Sequence, residues 1–105
     1  MSRKILYSPT YGAGWSSWQY KVPTNFACEY QPIIDAVEQG ESLTEDHPII
    51  QQYVEECQET FDIGHVCVLA ADSLAIYQLE DEEKYQISEY DGSESVKIKN
   101  SQEWY

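Results

Sequence analysis

The chain has 105 residues and a hydrophobic share of 42%, which is enough for one core and indicates a single domain, 1–105. Nineteen acids against six bases give a net charge of −13, which disfavours direct binding to nucleic acid or to an anionic membrane. The acids are segregated, because residues 22–83 hold fifteen of them and no Lys or Arg. The longest apolar run, residues 66–71, is too short to cross a membrane, and residues 1–5 lead into no secretory signal, so we expect a cytoplasmic protein.

Cysteine and histidine residues form no recognisable site in the sequence. Cys28, Cys57 and Cys67 are irregularly spaced, which predicts reduced thiols. His47 and His65 are not placed to complete a zinc site or to activate a nucleophile. Phosphate-loop and hydrolase-elbow motifs are also missing, so we predict no metal, no cofactor and no catalytic residue. Nothing in the sequence requires an enzyme, and the sequence does not predict an oligomeric state.

The first half of the chain predicts one strand and two helices. Residues 3–7 form a short apolar strand, and residues 8–29, rich in glycine, proline and aromatic residues, are expected to form an ordered loop on the core. A proline in the first turn and a glycine after the last one mark a helix over 32–39. A second, amphipathic helix is predicted over 47–61, where apolar residues recur at helical spacing and glutamates occupy the opposite face.

The second half predicts antiparallel strands. Residues 66–69 and 75–79 are apolar strand candidates. An Asp-Gly pair at 91–92 is a preferred two-residue turn, and it predicts a hairpin of strands 84–90 and 93–99. The expected fold is therefore α+β, a small antiparallel sheet with a C-terminal hairpin, packed by two helices.

The predicted turn also fixes the hairpin register. It sets Ile87 opposite Val96 and places the apolar residues on one face, a pattern that a slip of one residue would break. It sets Glu89 opposite Glu94 as well, and like charges directly opposite are unfavourable. We expect both carboxylates to splay into solvent; the alternative is that they await a cation, an arginine or polar groups from the protein's own loop. The candidate binding residues at the hairpin tip are Glu89, Tyr90, Asp91 and Glu94.

An aromatic, glycine-containing segment occupies residues 7–18. Glycine lets a backbone approach another group closely, and Tyr and Trp offer flat apolar surface with one hydrogen-bonding tip. Such a loop suits a partner protein or a planar ligand, whereas the alternative is that Trp15 and Trp18 cap the core. The candidate binding residues of this loop are Tyr7, Tyr11, Trp15 and Trp18.

Two segments, YSPTYGAGWSSW at residues 7–18 and ISEYDGSE at residues 87–94, resemble a family of small uncharacterised proteins of bacteriophage and prophage genomes. The resemblance covers about a fifth of the chain and departs from the family at Thr10, where relatives are expected to carry glycine. It implies a phage-type source, a location in a host bacterial cell and a site shared by the two segments. It implies no particular activity.

Two interpretations of function follow. In the first, the chain is an interaction protein, a counter-defence inhibitor whose carboxylates replace nucleic-acid phosphates on a basic surface of a host protein. In the second, the 7–18 loop and the 87–94 hairpin enclose a small molecule or form a minor enzyme site. Clustered exposed acids favour the first, and a deep pocket between loop and hairpin favours the second. The first interpretation predicts an acidic surface of Glu55, Glu56, Glu59, Glu80, Asp81, Glu82 and Glu83.

Overall fold

A computed structural model describes residues 3–10, 14–18, 21–80 and 83–99. Within these ranges the chain has an α+β fold of helices and two separate two-stranded antiparallel sheets. The elements are β1 (Arg3–Tyr7), α1 (Thr24–Cys28), α2 (Gln31–Glu38), α3 (Pro48–Phe61), β2 (Ala75–Leu79), β3 (Lys84–Tyr90) and β4 (Ser93–Lys99), with short 3₁₀ turns at Ser16–Trp18 and Ala71–Ser73.

Both predicted helices are confirmed to within one residue at each end. Pro32 lies in the first turn of α2, and Gly40 follows its last turn with φ +75°, a left-handed conformation that glycine adopts at little cost. At the start of α3, His47 Nδ1 accepts a hydrogen bond from the Ile49 N–H at 3.1 Å. That bond satisfies one of the backbone donors that a helix leaves without a partner at its N-terminus.

The predicted hairpin is confirmed in its turn and its register. Asp91 and Gly92 have φ values of 51° and 89°, and positive φ at both central residues is what the hairpin turn favoured by Asp-Gly requires. β3 and β4 pair antiparallel with Ile87 opposite Val96 and Glu89 opposite Glu94. The short predicted strands 3–7 and 75–79 are also confirmed, and they pair with each other as β1 and β2.

Two predictions for the connecting segments are wrong. The apolar residues 66–69 form no strand, because the chain turns there and the Ala71 N–H bonds the Val68 carbonyl at 3.1 Å as the second 3₁₀ turn begins. An apolar run does not show whether another strand is available to pair with it. Burial is also uneven in this run, because Leu69 is 72% exposed. The predicted loop over 8–29 contains the helix α1, which at five residues is too short to show helical periodicity.

Strand β1 lies between two hydrophobic clusters because successive side chains of a strand point to opposite faces. Leu6 packs into a large cluster with the buried residues of α2 and α3. Its neighbour Ile5 packs into a smaller one with Cys28, Leu79 and Tyr85, against the inner face of the β3–β4 hairpin. The first sheet is therefore covered by helices on one side and by the hairpin on the other.

The inward face of α3 is centred on Tyr53, which is fully buried. Its ring centroid lies 5.1 Å from that of Trp15, 5.0 Å from that of Tyr30 and 6.0 Å from that of Phe26. The expected packing of this helix on the sheet is present, because Leu6 of β1 belongs to the same cluster as Tyr53. The rings around Tyr53, however, belong to Phe26 of α1 and to Trp15 and Tyr30, which lie on either side of α1 in the chain.

Candidate functional site

The hairpin tip and the 8–18 loop meet at one buried carboxylate. Glu94, at the start of β4, is 2% exposed. Its Oε1 accepts a hydrogen bond from the Ser8 N–H at 2.9 Å. Its Oε2 accepts from the Trp15 N–H at 2.8 Å, from the Ser17 N–H at 2.9 Å and from the Ser17 hydroxyl at 2.6 Å. Four donors from the loop therefore compensate the burial of this charge, as a buried carboxylate requires.

Backbone contacts extend the same junction. The Glu94 N–H donates to the Ser8 carbonyl at 2.6 Å, and the Ser93 hydroxyl donates to the Pro9 carbonyl at 3.0 Å. Residues 8–9 thus continue from β1 along the edge of β4. The loop is held both by side-chain and by main-chain bonds.

The opposing carboxylate, Glu89, is exposed but also has donors from the protein. Its Oε2 accepts from the Trp18 indole N–H at 2.8 Å and from the Gly92 N–H at 3.1 Å. Our expectation that both glutamates splay into solvent is wrong, because the loop supplies groups that bind them. The structure matches the alternative, in which polar groups of the protein's own loop bind the two carboxylates.

The two tryptophans of the loop have different environments. Trp15 is fully buried, lies in tilted contact with the Tyr53 ring and donates its indole N–H to the Ala27 carbonyl at 2.7 Å. Trp18 is 37% exposed and is tied to Glu89. Trp15 is therefore a core residue, and Trp18 is the tryptophan of this loop that a binding partner can reach.

The other residues predicted for this site differ in how exposed their side chains are. Tyr7 is partly buried at the end of β1, and Tyr90 is 76% exposed at the end of β3. Asp91 is exposed in the hairpin turn, and Tyr11 lies outside the described residues. The structure brings Trp15, Trp18, Glu89 and Glu94 together, and their polar groups are bonded to one another's segments.

The space around Gly14 shows why the loop carries a glycine at this position. A Cβ at this position would lie 2.6 Å from Ser17 Oγ and 2.6 Å from Trp18 Cδ1. Contacts that short force neighbouring atoms to move, and Ser17 Oγ is one of the donors to Glu94. Gly14 therefore allows the close turn that delivers the Trp15 and Ser17 amides to the carboxylate.

The predicted acidic surface is only partly an open surface. Glu55 and Glu59 are exposed and four residues apart, so they share the outward face of α3. Glu56 is partly buried beside Tyr30, whose pKa is raised by burial and by the bond to this carboxylate. Glu80 and Glu83 close a turn, in which Glu83 Oε1 accepts from the Glu80 N–H at 2.7 Å. Asp81 and Glu82 lie outside the described residues.

A surface hollow that we did not predict lies between α3 and residues 64–68. It measures about 410 Å³, and three exposed carboxylates, Glu45, Asp46 and Glu55, contribute to its lining. A second hollow of about 190 Å³ shares Glu45 and continues towards Leu69. The one sequence signal for this place is the absence of Lys and Arg around it, which does not by itself reveal a cavity.

The carboxylates that line the larger hollow differ in their ion pairing from several other acids of the chain. The ion pairs recorded among the described residues are Arg3–Glu29, Lys4–Glu38 and His47–Glu41. None of them includes the carboxylates of the hollow, Glu45, Asp46 and Glu55. Arg3 and Lys4 of β1 therefore pair with Glu29, which follows α1, and with Glu38 of α2. The carboxylates of the hollow have no such ion pair within the described part of the chain.

The buried thiols are not arranged for nucleophilic chemistry. Burial raises the pKa of Cys28 to about 12 and also raises the pKa of Cys57. Both thiols are therefore protonated near neutral pH, and the thiolate is the reactive form. In the ranges that the structure describes, no group of three or more His, Cys, Asp or Glu side chains could hold a metal ion.

Comparison with known protein families, with curated protein sequences and with solved structures finds no match to this chain. The resemblance to phage and prophage proteins therefore stays a prediction. Among the described residues, no helix combines the length and the apolar character needed to cross a membrane.

Proposed function

We propose that this protein binds a basic surface of another protein through an acidic face made of the outward side of α3 and the segment that precedes it. One observation carries the proposal. Glu45, Asp46, Glu55 and Glu59 are exposed, and within the described residues they form no ion pair. Glu89 and Glu94 at the hairpin tip, by contrast, accept hydrogen bonds from the protein's own loop.

Electrostatics supports a basic partner. A net charge of −13, with no Lys or Arg between residues 22 and 83, gives this face a negative potential that extends beyond single contacts. Such a field accelerates encounter with a positive surface and rejects negative ones, and its effect falls as salt screens it. The same field disfavours direct contact with nucleic acid.

The more specific form of the proposal is a nucleic-acid mimic. The carboxylates of α3 then take the place of phosphates on the nucleic-acid-binding surface of a host bacterial protein, as a counter-defence inhibitor would. The resemblance of residues 7–18 and 87–94 to phage and prophage proteins supports this host. The unpaired row formed by Glu55 and Glu59 supports the mode of contact.

The site between the 7–18 loop and the 87–94 hairpin is less well supported as a ligand site. Glu94 is 2% exposed, and both of its oxygens already accept bonds from Ser8, Trp15 and Ser17, so a small molecule in solution cannot readily reach this carboxylate. The polar groups there hold the fold together. The hollows of about 410 and 190 Å³ lie elsewhere, beside α3 and residues 64–69.

The proposal is tested by capture of host proteins from a bacterial lysate with tagged protein, followed by measurement of the affinity of the recovered partner. The affinities of two double variants are compared. Both variants carry the same net charge, because each raises the net charge of the protein by 2, from −13 to −11. Glu55→Gln with Glu59→Gln removes charge from α3, and Gln86→Lys with Ser95→Lys adds it on the outer face of the hairpin.

We expect the α3 variant to bind the partner at least about tenfold more weakly, and the hairpin variant to bind nearly as well as the unchanged protein. The affinity should fall as salt rises, and DNA or RNA should compete for the partner. Equal affinity of the two variants, or binding that is indifferent to salt, would show that α3 is not the interface.

A further inference from the structure

The larger hollow has an apolar floor as well as an acidic rim. Val54 of α3 and Val66 and Val68 of the facing segment line it together with Glu45 and Glu55. Val66 is buried, whereas Val54 and Val68 are partly exposed at its surface. A ligand that fits here needs an apolar stem and a positively charged end.

The second hollow adjoins the first, and we treat the two together as one groove. The two share Glu45 and Val68, and the second continues past Leu43 to Leu69. Leu69 is 72% exposed, which is a large apolar surface to leave in water. A groove with an acidic hollow at one end and an exposed leucine at the other suits an extended chain with a basic residue and an apolar residue.

We propose that this groove binds an extended segment of the basic partner, with an arginine side chain seated in the larger hollow between Glu45 and Glu55 and an apolar side chain against Leu69. The inference rests on the proposed function, and it assigns that function a specific anchor. Charge complementarity selects the occupant, because the rim carries carboxylates and residues 22–83 supply no Lys or Arg to neutralise them.

Arginine suits the hollow better than other basic groups. Its three-carbon stem can cover the valines while its charged head stays at the wet rim. The guanidinium group is planar and weakly hydrated, and it donates up to five hydrogen bonds in a fixed geometry to neighbouring carboxylates. The anchor therefore combines apolar contact with charge, which a row of surface glutamates alone does not provide.

The test uses a defined probe, the peptide leucine–glycine–arginine–glycine–leucine with blocked ends, titrated into isotope-labelled protein and followed by amide chemical shifts. The matched probe replaces arginine by citrulline, which keeps the shape and removes the charge. We expect the arginine peptide to shift the amides of residues 45–46, 55 and 64–69, and the citrulline peptide to leave them nearly unchanged.

A pair of neutral variants separates the groove from the general acidic face. Gln51 is exposed and lines the larger hollow, so Gln51→Trp fills it without a change of charge. Thr60 is exposed on the same helix and does not line the hollow, so Thr60→Trp is the control. We expect Gln51→Trp to weaken peptide binding at least about tenfold and Thr60→Trp to change it less than about twofold.

Equal shifts with the citrulline peptide, or equal binding by the two tryptophan variants, would overturn the groove. Either result would leave the proposed function standing if Glu55→Gln with Glu59→Gln still weakens binding of the captured partner. If that pair has no effect on binding of the captured partner, both the acidic face and the arginine seat at Glu55 are wrong for that partner, whatever the peptide test shows.

Discussion

The hairpin tip and the hollow beside α3 are both rich in carboxylates, but they differ in where their hydrogen-bond donors come from. Glu94 at the hairpin tip is buried and receives four donors from the loop. Glu55 at the hollow is exposed and has no ion pair among the described residues. One carboxylate stabilises the fold, and the other is available to a partner.

The difference has a local physical cause. Residues 14–18 turn tightly, and the amides of Trp15 and Ser17 point at one place rather than into a regular ladder. The amides of α3 are instead engaged within the helix, so a glutamate on its outward face meets no backbone donors. Acidic composition alone therefore does not define an interaction surface, because the backbone conformation around each acid decides its use.

The largest expected effect on stability concerns the two tryptophans of the 7–18 loop, one buried and one partly exposed. Trp15→Ala should lower the free energy of unfolding by about 3–5 kcal/mol, because it removes a fully buried ring and the bond to the Ala27 carbonyl. Trp18→Ala should cost about 1 kcal/mol, because the ring is partly exposed and loses mainly one bond. Urea unfolding of both variants measures the contrast, and equal losses would contradict the assignment of Trp15 to the core.

The next effect compares the two carboxylates directly. Glu94→Ala should lower the free energy of unfolding by about 3 kcal/mol or more, since it leaves the Ser8, Trp15 and Ser17 amides without their acceptor. Glu55→Ala should change it by about 0.5 kcal/mol or less, as for other surface substitutions. The two midpoints in urea decide the matter, and a Glu94 variant as stable as the Glu55 variant would refute the structural role.

A pH dependence follows from the buried groups beneath the hairpin. Burial raises the pKa of Cys28 from 9.0 to about 12, and burial also raises the pKa of Tyr85 above its usual value of 10.0. Above pH 9 the unfolded chain loses the Cys28 proton while the native protein keeps it. This contribution to stability is therefore complete below pH 9 and is lost as the pH rises towards 12, and Tyr85 adds a similar loss from pH 10 upward.

Each such group lowers stability by about 1.4 kcal/mol per pH unit in its window. Urea midpoints measured between pH 8 and pH 11 should fall, and Cys28→Ala should flatten the first part of that fall. A constant midpoint over the whole range would show that these groups are not buried as described.

The sequence was informative where two local signals agreed. In the hairpin, the Asp-Gly turn and the alternation of apolar residues both require Ile87 opposite Val96. It was misleading where only one signal was present, as in residues 66–69, whose apolar run indicated burial but not a strand partner. The role of Glu94 depends on amides that lie 77 to 86 residues away in the chain, so only the register and the option of loop donors could be predicted.

The smallest expected effect on stability concerns the exposed carboxylates of α3. Glu55→Lys with Glu59→Lys should change the free energy of unfolding by only about 0.5 kcal/mol per substitution, because both side chains are exposed and neither supports the core. Thermal melts measure this. A loss comparable with that of Glu94→Ala would mean that the α3 carboxylates also stabilise the fold.

Hydrogen–deuterium exchange of single amides, with and without the arginine peptide, tests the contrast between the two regions in one measurement. We expect the Trp15 and Ser17 amides, which are bonded to Glu94, to exchange slowly in the free protein and not to respond to the peptide. We expect the amides of residues 64–68 to exchange faster in the free protein and to slow when the peptide binds. Rapid exchange at Trp15 and Ser17, or protection by the peptide at residues 14–18 instead of 64–68, would show that the roles of the two regions are assigned wrongly.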